Sequence, residues 1–566
     1  MAKHLITSAL PYINGIKHLG NLVGSLLPAD VSARFFRQVG HEVLFICATD
    51  EHGTPAELAA LEKGQDVETF CNEQYEVQKD IYERFGLSFD HFGRTSRPQN
   101  EELTQHMCEV LSENGYITER TVKQVYSPAD GRFLPDRYVE GTCPFCGYEK
   151  ARGDQCENCT HLLDPTDLLN PHSAISGSKD LEIRDSKHLF LQLPKLSDDV
   201  AKWVADKKNT WSSLVYSIAN KWLKEGLQER CITRDLQWGI PVNRPGFEGK
   251  VFYVWFDAPI GYISATKEWS DIDPDNRDWQ DWWYDADDVI YTEFMAKDNI
   301  PFHTVTFPAC LIGSGEPWKK VDFLKGFNWL TYYGGKFSTS QKRGVFTDQA
   351  LDEFPADYWR YWLMANAPES SDSSFTFDSF AGTINKDLND TLGNFINRIT
   401  KIALNNFGEE IPSGGNFSAE EEELAKRLNT LIASYTSNLG KLSFRKALAD
   451  LRSIWVEGNN YVTLTEPWKV VKTDKERAAV ILRTCFNLMR IFAVLSYPII
   501  PATSKKILAS LGIATENPGW ISEDTAAELQ TIKGGEKYTP LEPLFSKITP
   551  ERIDELTAKY GKEETV

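Results

Sequence analysis

Three groups of residues carry side chains whose types and spacing can do chemistry. His18-Leu19-Gly20-Asn21 sets an imidazole and an amide at i and i+3, neighbours on one helical face, with a glycine between them that lets a ligand approach the backbone. The tetrad follows an apolar run, Leu5–Leu10, through a glycine-containing turn, so free backbone N–H groups at a helix start are placed to receive a phosphate. The second group runs Gly334-Gly335-Lys336-Phe337-Ser338-Thr339-Ser340-Gln341-Lys342-Arg343-Gly344. Its glycines, hydroxyls and cations suit a mobile loop that closes over a triphosphate and stabilises a leaving pyrophosphate; the plain alternative is an exposed basic loop. The third is Cys143-Pro-Phe-Cys146 with Cys156-Glu-Asn-Cys159, a CxxC-x9-CxxC pattern. Two turns presenting two thiolates each close one tetrahedral ion without an open position, which favours structural zinc over an iron–sulfur site or reduced free thiols.

The elements that must position these groups alternate in the first 115 residues. Strand Leu5–Leu10 leads to a helix from about Asn21 to Gln38, closed by Gly40, and then to a buried strand Glu42–Thr49 that ends in Asp50-Glu51-His52-Gly53. Strand, helix and strand with short connections make a βαβ unit of a parallel sheet, and Pro28 predicts a kink or a second helix start. Residues 116–229 are turn-rich and carry the cysteine cluster; apolar α/β character resumes at Ile232 and continues through Val251–Phe256 and Val289–Met295. Ligands of such sheets bind at the carboxyl ends of the strands, where His18, Asp50 and Asp257 are expected. From about Asn385 the chain reads as helical, with Leu388, Leu392, Phe395, Ile399 and Ile402 on one face and Asn394 and Arg398 on a flank.

A chain of 566 residues with 41% hydrophobic and 25% charged side chains has the composition of a multidomain soluble protein. The sequence shows no apolar run of about 18 residues, and the first strand begins by about His4, leaving no room for a leader. A cytoplasmic protein without membrane attachment is the expectation. The net charge of −20 opposes bulk attraction to nucleic acid, so any RNA must meet a local basic surface. The six cysteines outside the cluster (Cys47, Cys71, Cys108, Cys231, Cys310 and Cys485) read as small buried hydrophobes.

The His18 tetrad resembles the HIGH signature of class I aminoacyl-tRNA synthetases, with Asn21 at its last position, and residues 336–340 (KFSTS) resemble the KMSKS loop, with Thr339 in place of the second lysine and Lys342 able to restore that charge. The stretches 9–12 (ALPY), 49–55 (TDEHGTP) and 254–262 (VWFDAPIGY), the four-cysteine insertion and the carboxy-terminal helical segment resemble the methionyl-tRNA synthetase family over nearly the whole chain. That resemblance implies a Rossmann-like α/β catalytic domain with a parallel sheet, split by a zinc-knuckle insertion and followed by an all-α anticodon-binding bundle. The corresponding segments are 1–115, 116–229 (insertion), 230–325, 326–380 (linker with the loop) and 381–566.

The resemblance further implies ATP-dependent activation of methionine and its transfer to tRNA, with Mg2+ accompanying ATP, one structural zinc on Cys143, Cys146, Cys156 and Cys159, and a monomer. Catalytic roles fall to His18, Asn21, Lys336 and Lys342, and ATP contacts to His18, Gly20, Asn21, Asp298, Lys336, Ser338, Thr339 and Ser340. Asp50 would bind the ammonium of methionine, and Ala9, Leu10, Tyr12, Trp255, Ala258, Pro259, Tyr262 and His303 would form the side-chain pocket. Asn394, Arg398 and Trp468 would read the anticodon, since an amide and a guanidinium can bond base edges and an indole can stack on an unpaired base. Two other readings compete. A cysteine-specific class I enzyme would spread its zinc ligands through the catalytic domain, and an inactive RNA-binding paralogue would draw on Thr339 and Asn21.

Overall fold

The apolar runs that open the chain pair side by side. The computed structural model describes residues 1–153, 156, 158–159, 161, 163–338 and 343–561. Its central sheet has five parallel strands in the order Phe323–Phe327, Val289–Ala296, Lys3–Ser8, Glu42–Thr49 and His91–Arg94. Leu5 lies opposite both Leu44 and Tyr291, so the first strand is buried between neighbours, which suits a near-continuous apolar run. The strand order reverses between Lys3–Ser8 and Val289–Ala296, and a crevice opens there at the carboxyl edge.

The first strand ends at Ser8, two residues earlier than the apolar run suggests. Pro11 has no N–H for a ladder, and the chain instead turns so that Tyr12 bridges to Asp50 beyond the end of the next strand. Ala9 and Leu10 are thereby released from the sheet to line the crevice. Val251–Phe256 also departs from the expectation. Only Val251–Phe252 is strand and Val254–Asp257 is a helical turn, so Asp257 does not end a strand; a short apolar run does not distinguish the two states.

At Pro28 the expected second start is found: the proline lies in the first turn of helix Leu27–Gln38, which follows Leu19–Asn21 and a π-helical turn Leu22–Leu26 without a break in the helical backbone. A proline ring collides with the carbonyl four residues back, and the turn before it has widened so that the Leu27 N–H reaches the Leu22 carbonyl. The same device recurs at Phe302–Thr306, where the Phe307 N–H reaches the Phe302 carbonyl one residue before Pro308. Both widened turns face the crevice region, and the second carries His303.

The insertion forms an antiparallel sheet of Arg230–Cys231, Glu182–Leu191, Ile117–Ser127 and Arg132–Phe133, with the cysteine cluster held beside a three-stranded sheet at 139–142, 151–152 and 169–173. Its helices Leu193–Asp206 and Ser213–Glu225 do not stand apart. Leu196, Val200, Val204 and Val215 share one core with Leu5, Leu44 and Val289 of the central sheet. The helical region begins at Phe377, earlier than its apolar stripe indicates, because the Thr376 hydroxyl caps the helix by accepting from the Ser379 N–H. Helix Lys475–Ser496 is long and apolar enough to span a membrane by composition, a run missed in the sequence, yet 94% of that window is buried as the bundle's centre.

Arg360 ties the sheet to the bundle. Wholly buried, it donates to Asp30 Oδ2 (2.7 Å), to the Ile499 and Pro498 carbonyls (2.8 and 2.9 Å) and to the Phe85 carbonyl (3.2 Å). Burial alone would raise the Asp30 carboxyl, but the Arg34 and Arg360 guanidiniums and the Ser88 hydroxyl hold it down at about 2. Removing one partner of a buried pair costs about 3–5 kcal/mol. Arg360→Ala should therefore lower the thermal midpoint by several degrees in a calorimetric scan; an unchanged midpoint would mean the hub carries no net stability.

Candidate functional site

The His18 tetrad is a helix start in which the two polar side chains hold each other. The Asn21 N–H donates to His18 Nδ1 (3.3 Å), and the His18 N–H donates to Asn21 Oδ1 (3.2 Å). With Nδ1 accepting, the ring proton belongs on Nε2; burial first, and the Lys17 ammonium second, pull the imidazole down to about 3, so it is neutral. A Cβ on Gly20 would lie 3.0 Å from His18 Nδ1 and 3.5 Å from Phe337, a close approach that glycine relieves. The buried Gln78 amide donates to the Tyr12 and Gly15 carbonyls (3.0 and 3.1 Å) and fixes the turn leading in.

The cationic loop lies against this turn. Phe337 stacks on His18 with ring centroids 4.8 Å apart, the Leu19 N–H donates to the Val345 carbonyl (3.2 Å), and the Thr347 N–H donates to the Lys17 carbonyl (2.9 Å). Ser338 and Arg343 pair through both backbone bonds, and Thr339, Ser340 and Lys342, between them in sequence, lie outside the described residues. Lys336 is exposed, its ammonium 4.7 Å from the Trp329 ring. His18, Gly20, Asn21, Asp298, Lys336 and Phe337 border one cavity of about 360 Å³ at the crevice.

A second, smaller pocket adjoins it. Ala9, Leu10, Tyr12, Asp50, Trp255, Ala258, Pro259, Tyr262 and His303 all line it, together with Asn299. His303 Nδ1 lies 2.9 Å from the Asn299 carbonyl, which can only accept, so Nδ1 carries the proton and Nε2 accepts from the Tyr262 hydroxyl (2.9 Å). Burial lowers this imidazole to about 4 and keeps it neutral. Asp50 is 5% exposed and its Oδ1 has no hydrogen-bond partner. Burial first, then the Asp257 carboxylate, push its carboxyl well above the usual range. Asp257 is held in turn by His52 Nδ1 at 2.6 Å.

Several contributors were not legible as site residues. Phe302 stacks on the pocket residue Trp255 with ring centroids 3.9 Å apart; its position directly before His303 is the one signal for it. Lys17 borders the larger cavity, donates to Asn14 Oδ1 (2.9 Å) and is lowered by burial to about 7. Trp329 shares that border. His52 and Asp257 act on Asp50 without lining the pocket.

Far from this edge, Asn394 and Arg398 lie one turn apart on helix Asn394–Phe407, and the Arg398 guanidinium rests 5.1 Å from the Trp468 ring. In the insertion, the four cysteine sulfurs lie within 4.8 Å of one another, with Cys143 to Cys159 at 3.8 Å and Cys146 to Cys156 at 3.6 Å. Zn–S bonds of about 2.3 Å in a tetrahedron put sulfurs about 3.8 Å apart, so the donor set fits structural zinc.

Fold and site together define an α/β nucleotide-binding protein with an appended helical bundle. The family described as "tRNA synthetases class I (M)" matches residues 4–400, and the one described as "Anticodon binding domain of methionyl tRNA ligase" matches residues 411–565. The chain is 60% identical to the methionine–tRNA ligase of Streptomyces avermitilis over 99% of both chains, and 57% identical to methionine–tRNA ligase 1 of Acaryochloris marina over 99% of this chain and all of that one. A solved Mycobacterium tuberculosis methionyl-tRNA synthetase, in complex with methionyl-adenylate, shares the fold at a TM-score of 0.76 and 23% identity, covering 96% of this chain and 100% of that one. The chain belongs to the methionyl family of class I tRNA synthetases.

Lys17 gives the site a testable pH dependence. Its ammonium is charged below about 7 and neutral above, so its attraction for a nucleotide triphosphate is present at low pH and lost as pH rises. ATP affinity of the wild type should exceed that of Lys17→Gln at pH 6 and converge with it by about pH 8.5 in equilibrium binding; equal affinities throughout would place Lys17 outside the phosphate site.

Proposed function

We propose that the chain activates L-methionine with ATP and transfers it to tRNA(Met), using the residues gathered at the crevice. The methionine carboxylate attacks the α-phosphate, giving methionyl-adenylate and pyrophosphate; a ribose hydroxyl of the terminal adenosine of tRNA then takes the acyl group and releases AMP. No covalent enzyme intermediate is required, and the protein's work is positioning and charge stabilisation. His18 offers Nε2–H to phosphate oxygens, Asn21 fixes the turn, and Lys336, Lys342 and Lys17 oppose the charge of the leaving pyrophosphate. Mg2+ would arrive with the triphosphate, whose oxygens supply its ligands, and would add charge neutralisation there. Ser338, Thr339 and Ser340 complete the loop's contacts, and Asp298 serves the nucleoside side.

The observation that carries this reading is Asp50. A buried carboxylate oxygen without a partner, at the base of an aromatic-walled pocket next to a cation-bordered cavity, is suited to an ammonium group. The neutral Tyr262–His303 pair above it suits an uncharged thioether, because neither ring offers a charge.

The remaining assignments accompany this reading. Asn394, Arg398 and Trp468 form the anticodon contact. The units are 1–115 and 230–325 for catalysis, the latter extended to Phe327 where the edge strand ends, with the insertion at 116–229, the loop region to 380 and the bundle beyond. The chain acts as a cytoplasmic monomer, with one structural zinc on Cys143, Cys146, Cys156 and Cys159. Chelation should release one zinc per chain and expose the segment 139–173 to proteolysis; a metal-free preparation with an intact segment would contradict it.

Amino-acid-dependent ATP–pyrophosphate exchange tests the whole reading. Exchange with methionine alone among the standard amino acids is the expected result. Exchange with a different amino acid would overturn the pocket, and no exchange from folded, zinc-replete protein would overturn the function.

A further inference from the structure

Beside the amino-acid pocket, the insertion and the segment that follows it converge on Glu57. This residue lies near the start of helix Thr54–Lys63, directly after the 50–53 loop. Its Oε2 accepts from the Arg132 guanidinium (3.2 Å) and from the Tyr138 hydroxyl, both in the insertion. Its Oε1 accepts from the backbone N–H groups of Trp238 (2.8 Å) and Gln237 (3.3 Å), where the chain has re-entered the catalytic domain.

Trp238 carries that junction inward. Its indole N–H donates to the Glu51 carbonyl at 2.6 Å, and the Cys71 thiol, 3.9 Å from the same oxygen, is a weak second donor. The indole meets the His52 ring edge-on, with centroids 5.8 Å apart, and packs on the cluster of Ile13, Ala56, Ala60, Phe70 and Cys71. Ile13 in turn donates its N–H to the Asp50 carbonyl at 2.8 Å. The Glu51 carbonyl and the His52 N–H are the two polar ends of one planar peptide, so fixing the first fixes the direction of the second. That peptide directly follows Asp50. Burial and the Asp257 carboxylate raise the Asp50 carboxyl, whereas the His52 N–H acts the other way and favours its ionised form. The His52 ring also holds Asp257, at 2.6 Å. Trp238 therefore bears on Asp50 by two routes, the peptide and the imidazole. It does so from outside: Trp238, Glu57, Arg132 and Tyr138 border a separate cavity of about 370 Å³, and none of them lines the methionine pocket.

We propose that Trp238, aimed by Glu57, is a positioning residue for methionine: on the reading that Asp50 receives the ammonium, the Trp238 indole sets the peptide joining Glu51 to His52 and, through it, the Asp50 carboxylate. Loss of the indole N–H leaves a buried carbonyl with the thiol alone as donor, and the peptide is no longer held in one orientation. Because the effect passes through Asp50, it falls on the ammonium end of the ligand and not on the thioether. Glu57 makes the placement of the insertion felt at the same point, since one carboxylate ties Arg132 and Tyr138 to the Trp238 backbone.

Trp238→Phe keeps an aromatic ring against His52 and removes the N–H. Full-length, zinc-replete wild type and variant would be titrated by calorimetry with L-methionine and with 4-(methylthio)butanoate, which lacks the ammonium. Methionine should bind Trp238→Phe about tenfold more weakly, and the analogue should bind it as it binds the wild type. Glu57→Ala, at a helical position that alanine suits, should weaken methionine in the same selective way by less, and it serves if the first variant does not fold. Methionine affinity unchanged in both variants, or a loss of equal size for both ligands, would overturn the proposal, since a general loosening of the fold weakens both. A wild type that binds the two ligands equally would overturn the reading of Asp50 and this role with it. A preference that Asp50→Asn abolishes and Trp238→Phe leaves whole would overturn the role of Trp238 alone.

Discussion

The arrangement at the crevice depends on one carboxylate that the protein leaves incomplete. Burying an unpaired carboxylate costs several kcal/mol, and proteins avoid it unless something compensates. Asp50 is held in place by its backbone, through the Pro11 carbonyl and the Ile13 N–H, and its carboxyl is kept from ready ionisation by burial and by Asp257. His52 in turn secures Asp257. The cost is therefore fixed into the fold, and a cation entering the pocket relieves it. The walls around it respect the same constraint. Tyr262 and His303 satisfy each other as a neutral pair and add no charge that would compete for Asp50.

The phosphate side depends on a different kind of closure. His18 and Asn21 bond to each other rather than to distant groups, so the helix start is rigid before any ligand arrives. Phe337 stacks on that rigid ring and carries the cationic loop with it, while the return strand is tied to Lys17 and Leu19 by backbone bonds. A Cβ at Gly344 would run into Phe337, and the residue has φ of +117°, so the loop's exit is shaped for that stack. The helix that starts at His18 runs on through Asp30 to the Arg360 hub, which reaches the bundle at Pro498 and Ile499. Crevice and bundle are thus joined by one rod and one buried ion cluster.

Much of this was legible from residue types. The strand Glu42–Thr49 has the bounds its apolar run suggests, the four cysteines converge as their spacing implies, and every residue assigned to the side-chain pocket lines one cavity. What stayed hidden depended on geometry that periodicity does not encode. The π turns before Pro28 and Pro308 arise from a proline's effect on the turn before it, and the second of them carries His303. Asp257 was misplaced because the apolar run Val251–Phe256 reads alike as strand or as helical turn.

The role of Asp50 is tested most directly by comparing two ligands that differ only in the ammonium group: L-methionine and 4-(methylthio)butanoate, each titrated into the wild type and Asp50→Asn by calorimetry. Losing one partner of a buried charge pair costs about 2–5 kcal/mol, roughly 30-fold or more in affinity. The wild type should prefer methionine by at least that factor, and Asp50→Asn should bind the two ligands almost equally. Undiminished preference for methionine in Asp50→Asn would show that the ammonium is held elsewhere and that the unpartnered carboxylate is not what the pocket is built around.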